Sequence, residues 1–173
     1  MPLTLLLGGA RSGKSSLAVA RARALAVPVV FLATAEALDA EMEERVSRHR
    51  VERDPAWVTV EEPLDLERAL AAVPAEGCAI VDCLSLWVAN LVQQDLGEEE
   101  VVGRSRRAAE AAGSRPGATI AVSNEVGMGV VPEFELGRRY RDALGRVNAA
   151  WAAAADEALL VVAGRTLELG AAR

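Results

Sequence analysis

The sequence predicts an α/β domain built on an open, doubly wound and mostly parallel sheet with helices on both faces. Three observations carry that prediction. Short, continuously apolar runs recur along the chain, stretches with helical spacing separate them, and a glycine loop closes the first run just before a helix. Strands buried on both faces read as unbroken apolar runs, because neither face meets water.

The elements follow in order. Leu3–Leu7 is a short apolar strand, and the glycine loop after it leads into a helix over about Ser15–Ala26. Val29–Thr34 is a second strand and Leu38–Arg53 a second helix. Val58–Val60 is short and β-branched, and Asp65–Val73 reads as a helix. Ala79–Asp82 is an apolar strand ending in an acid. Leu84–Ala112 is helical with a break near Gly97. Ala118–Ser123 is a further strand, Gly137–Asp156 a long Ala-rich helix, and Leu159–Ala163 the last clear strand. Ligands of such sheets bind outside the carboxyl ends of the strands.

Composition fits one domain spanning residues 1–173. Half of the chain (51%) is apolar but only 3% is aromatic, so Leu, Val and Ala must build the core. The formal charge of −6 excludes a coat for nucleic acid or anionic membrane. No apolar run is long enough to span a bilayer, and the N-terminus lacks the basic region of a signal peptide, so a cytoplasmic protein is expected. Cys78 and Cys83 have no metal-ligand spacing and read as small core residues in a reducing compartment. The basic residues are lopsided: Lys14 is the single lysine, and His49 the single histidine. Compositional bias accounts for the arginines as a group; the two exceptions lie where chemistry can be tested.

Gly8-Gly9-Ala10-Arg11-Ser12-Gly13-Lys14-Ser15 matches G-x-x-x-x-G-K-[ST], set between a strand and a helix as the motif demands. Chance supplies such a match in about one sequence in two thousand of this composition. The glycines let backbone N–H groups curl around a β-phosphate, at the positive end of the following helix. Lys14 reaches the β- and γ-phosphates, and the Ser15 hydroxyl binds Mg²⁺. The acid ending Ala79-Ile80-Val81-Asp82 fits the second magnesium-holding group, although many strands end in Asp simply to cap the next helix. The Asn/Thr-Lys-x-Asp element that reads guanine in regulatory GTPases is absent, because the only lysine is at position 14.

The predicted helix over Leu38–Arg53 has Leu38, Met42 and Val46 on one apolar stripe, with Arg45, His49 and Arg53 on nearly the same side. An inward-facing histidine is ordinarily a satisfied core residue. Two flanking guanidiniums argue instead for an anion between them, since buried unpaired charge is expensive. Positive neighbours keep the imidazole neutral, able to act as a base or to attack phosphorus covalently; the residues alone leave both open. Glu61 ends the Val58–Val60 strand, where a ribose contact is reasonable, but on its own it reads as a solvated acid. Gly127 and Gly129, after the Ala118–Ser123 strand, point to close backbone approach, a flap or a plain connection. Trp57, Trp87 and Trp151 read as core or interface rather than base-stacking residues.

Four segments stand out together: Gly8–Ser15; Arg45-x-x-x-His49-Arg50-x-x-Arg53 with Trp57-x-Thr59-x-Glu61-Glu62-Pro63; Asp82-Cys83-Leu84-Ser85-Leu86-Trp87 with Asn90; and Ser123–Pro132. With them the chain resembles a known family, the bifunctional adenosylcobinamide kinase / adenosylcobinamide-phosphate guanylyltransferases of cobalamin biosynthesis. Arg138–Asp142 and Gly145-Arg146-Val147-Asn148 match as well, and the similarity thins only between about Gln93 and Arg115. Two places depart from the family pattern: Ser85, where Thr is common, and Arg165-Thr166 after Gly164, where an apolar turn is usual.

The resemblance implies a RecA-like P-loop fold, a homotrimer and two reactions. A nucleoside triphosphate, ATP or GTP, phosphorylates the aminopropanol hydroxyl of adenosylcobinamide. The residue matching His49 then attacks the α-phosphate of GTP, forming a GMP–histidine intermediate, and adenosylcobinamide phosphate takes the GMP. It further implies nucleotide contacts from Gly8, Gly9, Ala10, Arg11, Ser12, Gly13, Lys14, Ser15, Thr34, Ala35, Glu36, Arg50, Val51, Glu52, Arg53, Glu61 and Asp82. Two other readings remain: a plain P-loop kinase of another small hydroxyl substrate, which has no need of His49, and a non-catalytic nucleotide-sensing module.

Overall fold

The computed structural model describes residues 3–36 and 54–170. The predicted helix over Leu38–Arg53, with His49 and Arg50, Val51, Glu52 and Arg53, lies outside these residues. Seven strands and five helices follow in the order β1 (Leu3–Leu7), α1 (Lys14–Ala24), β2 (Val29–Ala33), β3 (Val58–Glu61), α2 (Leu66–Ala72), β4 (Cys78–Asp82), α3 (Leu84–Gln93), α4 (Glu98–Ser114), β5 (Thr119–Val122), α5 (Glu135–Ala154), β6 (Glu157–Val162) and β7 (Arg165–Glu168).

One sheet holds all seven strands in the order β3-β2-β4-β5-β1-β6-β7. All pairings are parallel except β6 with β7. Alternation along the strands divides the core between two faces. Leu3, Leu5, Leu7, Leu32 and Val81 pack under α2, α3, α4 and α5 in a cluster that includes the fully buried Trp87 and Trp151. Leu6, Phe31, Ile80 and Val122 pack on the other face, under Ala18 and Ala22 of α1. Parallel strands covered this way give continuous apolar runs, which is why the sequence pattern was readable.

Local chemistry sets the helix boundaries. The Asp65 carboxylate caps α2 by accepting the Arg68 N–H at 3.2 Å. Gly97 is the N-cap of α4, and Glu98, Glu99 and Glu100 in its first turn complement the helix dipole. The expected break therefore separates two helices. Arg115, just past α4, donates to the carbonyls of Leu70, Val73, Pro74 and Gly77, tying the α2–β4 connection to the end of α4.

The sequence reads Leu159–Ala163 as the last clear strand. Leu159–Ala163 is not the end of regular structure: Ala163 (φ 50) and Gly164 (φ 74) make a two-residue turn into the antiparallel edge strand β7. All four β7 residues are exposed, so the strand carries no apolar run to reveal it.

Candidate active site

The phosphate loop joins β1 to α1, and its backbone explains its glycines. A Cβ at Gly8 (φ 152) would stand 2.2 Å from the Val161 carbonyl oxygen, so strand β6 leaves room only for hydrogen. Gly13 takes a left-handed φ of 102° as the N-cap of α1. Lys14 is buried within the loop, its ammonium donating to the carbonyls of Gly8 at 2.9 Å and Gly9 at 2.6 Å and to Ser12 Oγ at 3.4 Å. Gly9, Ala10 and Arg11 are exposed, and Ser15 is half-buried in the first turn of α1.

The hairpin missed by the sequence braces this loop. The Gly164 N–H donates to the Ser12 carbonyl at 2.8 Å, and Gly13 packs against Gly164. Both turn residues need positive φ to form that hairpin, and the Ala163-Gly164 pair is its only sequence trace.

Asp82 ends β4, and β5 separates it from β1. Strand register places Glu61, Ala33, Asp82, Val122 and Leu6 in one row at the carboxyl edge. With about 4.8 Å between neighbouring strands, Asp82 lies roughly 10 Å from the phosphate-loop strand, within the span of a metal and a phosphate chain. Glu61, at the exposed end of edge strand β3, is four strands from β1, or roughly 19 Å. It is therefore too far to share the phosphates held at the loop.

Thr34 is fully buried where β2 ends. Its hydroxyl donates to the Cys83 carbonyl at 2.7 Å and accepts the Cys83 N–H at 2.8 Å. Asn90 of α3 donates to the carbonyls of Thr34 at 2.8 Å and Pro63 at 3.1 Å, so one amide fixes the exits of β2 and β3 together. Ala35 and Glu36 follow, half-buried. A second network joins β5 to its flanking helices: Asn124 donates to Ser85 Oγ at 3.1 Å, Asn148 donates to the Asn124 carbonyl at 3.0 Å, and Ser123 Oγ lies 2.6 Å from Asn148 Oδ1. Asn90, Asn124 and Asn148 all fall in the segments that carry the family resemblance, but only the folded chain shows what they hold.

Burial, chiefly, and the adjacent Asp82 carboxylate push the Cys83 thiol up to about 11, while the Lys14 ammonium acts on it in the opposite sense. Both charged groups of the site therefore lie within electrostatic reach of one buried thiol. The thiol is neutral at physiological pH and belongs to the wall of the site. Neither free cysteine is reactive by this measure, and among the described residues no group of three or more Cys, His, Asp or Glu is placed to hold a metal. Magnesium needs no such cage: one or two protein oxygens with substrate phosphates and water suffice, which is what Ser15 and Asp82 offer.

Trp87 and Trp151 are core residues, and Trp57 is half-buried with the Arg23 guanidinium 5.8 Å from its ring centroid. Gly129 makes no close backbone approach, since a Cβ there meets nothing within 4 Å. Among the described residues no helix is long and apolar enough to cross a membrane.

Residues 4–169 match the family model described as cobinamide kinase / cobinamide phosphate guanyltransferase. The chain is 43% identical to the bifunctional adenosylcobalamin biosynthesis protein CobP of Pseudomonas aeruginosa, with 95% of each chain covered. It is 40% identical to the bifunctional adenosylcobalamin biosynthesis protein CobU of Salmonella typhimurium and 37% identical to that of Escherichia coli, covering 94% of this chain and 96% of each relative. Among solved structures, a Pyrococcus horikoshii protein superposes with a TM-score of 0.58 at 10% identity, covering 96% of this chain and 85% of its own. The RadB recombinase superposes at 0.51 and 14% identity, with 92% and 73% covered. These likenesses show the fold, a P-loop RecA-like sheet.

Proposed function

Because this chain belongs to the cobinamide kinase / cobinamide phosphate guanyltransferase family, we propose that it phosphorylates adenosylcobinamide and then transfers GMP to the product through a covalent GMP–His49 intermediate. It is a bifunctional enzyme of adenosylcobalamin biosynthesis. The observation that carries the reading is the placement of Lys14 and Asp82 on either side of β5 at one edge of the sheet.

The loop's backbone N–H groups and the start of α1 receive the triphosphate, ATP or GTP in the first step and GTP in the second. Lys14 exchanges the carbonyls of Gly8 and Gly9 for phosphate oxygens, trading neutral acceptors for charged ones. Ser15 and Asp82 are the residues that would hold Mg²⁺, whose charge would offset that of the phosphates. In the kinase step the aminopropanol oxygen bonds to the γ-phosphorus, the bond from that phosphorus to the bridging oxygen breaks so that the nucleoside diphosphate leaves, and the hydroxyl proton passes to water. In the transferase step an imidazole nitrogen of His49 bonds to the α-phosphorus and pyrophosphate leaves. An oxygen of adenosylcobinamide phosphate then displaces the imidazole, yielding adenosyl-GDP-cobinamide and free His49.

Thr34, Ala35, Glu36, Arg50, Val51, Glu52, Arg53 and Glu61 line the nucleotide in this reading. Glu61 takes a ribose or base rather than phosphate, consistent with its distance from β1. The chain acts as a single domain, assembles as a homotrimer and works in the cytoplasm.

Intact-mass measurement after incubation with GTP tests the covalent step. The wild type gains one acid-labile GMP and His49→Ala gains none; a wild type without adduct removes the covalent mechanism. The plain-kinase alternative instead predicts phosphoryl transfer that survives His49→Ala but not Lys14→Ala.

A further inference from the structure

The segment from Asn124 to Phe134 leaves the carboxyl end of β5, and both of its ends are pinned. At its root the Glu125 N–H donates to the Gly8 carbonyl at 3.1 Å, and the Glu125 carboxylate accepts the Gly127 N–H at 2.6 Å. At its far end Arg138 donates to the carbonyls of Pro132 and Glu133. Between the pins the side chains turn to solvent, with Met128 80% exposed, Val130 93% and Val131 60%, and Phe134, just past the second pin, is 77% exposed. A strap fixed at both ends that presents apolar side chains outward is unusual, because a surface connection ordinarily exposes polar ones.

We propose that this strap is the seat of the acceptor's macrocycle, with Met128, Val130, Val131 and Phe134 packing against the apolar face of the cobinamide ring. The inference rests on the proposed function. Lys14 and Asp82 flank β5, so the reacting phosphorus lies over the strand from which the strap departs. Met128 is three residues beyond Glu125, so its Cα lies within about 11 Å of the Glu125 Cα, which is itself held on Gly8. The reacting hydroxyl sits at the tip of a flexible aminopropanol arm. The bulky ring must therefore rest an arm's length outside the phosphate loop, where the strap lies. Val162 and Leu167, also exposed, belong to the β6–β7 hairpin across β1 from Asp82. A second copy of the chain suits the strap less well, because a stable subunit contact buries about 800 Å² per partner over some 20–30 residues. Even with Leu136, 54% exposed at the start of α5, the five apolar side chains are few for such a contact, and they match one face of a small ring system.

The test is binding of cobinamide, followed by its visible absorbance in equilibrium dialysis, together with GTP-dependent phosphorylation, for wild type and Val130→Ser/Phe134→Ser. Both side chains are exposed in the folded chain, so the variant keeps its fold. It is expected to bind cobinamide about tenfold or more weakly, with a matching rise in the acceptor KM and an unchanged KM for GTP. A variant that binds and phosphorylates cobinamide like the wild type overturns the strap assignment alone. So does one whose sedimentation shows dissociated subunits while its affinity for cobinamide is intact, which makes the strap an interface. A wild type that neither binds nor phosphorylates cobinamide overturns the proposed function and the strap with it.

Discussion

Lys14 shows what a single side chain does at this edge of the sheet. Its ammonium is buried and bonded to two carbonyls and a hydroxyl of its own loop, at the place where the proposed function puts the phosphates. Lys14→Ala is expected to lower kcat/KM for phosphoryl transfer about 100- to 1,000-fold, the usual loss when one positioned charge contact to the transition state is removed, as steady-state kinetics will check. Asn90 plays the complementary structural part. Asn90→Ala strips the carbonyls of Thr34 and Pro63 of a donor, and a loss of about 1–3 kcal/mol is expected in denaturant unfolding. The two differ in legibility. Lys14 announces itself by motif and by being the only lysine, whereas Asn90 joins residues 56 and 27 positions away, a separation no local pattern encodes.

Among the elements, the β6–β7 hairpin was hidden and proves to matter for the site. Edge strand β7 is exposed on both faces, so no apolar alternation marks it, yet its turn carries the Gly164 N–H that bonds the Ser12 carbonyl. Gly164→Val places a β-branched residue at φ 74, with an expected loss of about 1–3 kcal/mol and a raised KM for nucleotide. Gly164→Asn tolerates that φ and finds open space for its Cβ, so both quantities stay near wild type. Thermal melts and nucleotide titration of the two variants separate loop bracing from simple loss of folding. Helices α3 and α4 show the opposite case. The glycine made the break near Gly97 legible, while the three acids after it, read from sequence as no more than a turn, form the first turn of α4.

At the scale of the molecule, two apolar layers on one sheet set how stability responds to pH. Burial raises the Cys78 thiol to about 11, against a modest opposing effect of Arg115, so the folded chain keeps a proton that the unfolded chain releases above pH 9. That contribution is complete below pH 9 and is lost as pH rises toward 11. At the acid end, hydrogen bonding from Arg21, the largest cause, and from Thr4 holds the Glu157 carboxylate below its usual range. This ion pair joins α1 to β6. Its stabilisation is present above pH 4.5, the ordinary value, and is lost as pH falls below it. Glu157→Gln should therefore flatten the acid limb of a Tm-against-pH curve by an amount equivalent to about 0.2–1 kcal/mol, since the pair is about one-third exposed. Nucleotide binding should raise Tm in wild type and much less in Lys14→Ala, because a ligand stabilises only the state that binds it.

The parallel α/β class, the phosphate-loop motif with Lys14 and Ser15, and Asp82 at a strand end were legible before any fold was known. All of these are local patterns, in which an apolar run, a glycine spacing or a cap is written in adjacent residues. Family membership was legible too, from motifs spread over nearly the whole chain. That β5 stands between the lysine strand and the acid strand, and that Glu61 lies four strands from the loop, is visible only in the folded chain. The fold also shows an exposed hairpin bracing the loop from behind and Asn90 and Asn124 fixing the strand exits. Those relations are strand order and long-range hydrogen bonding, set by how two faces of one sheet are buried rather than by any stretch of neighbouring residues.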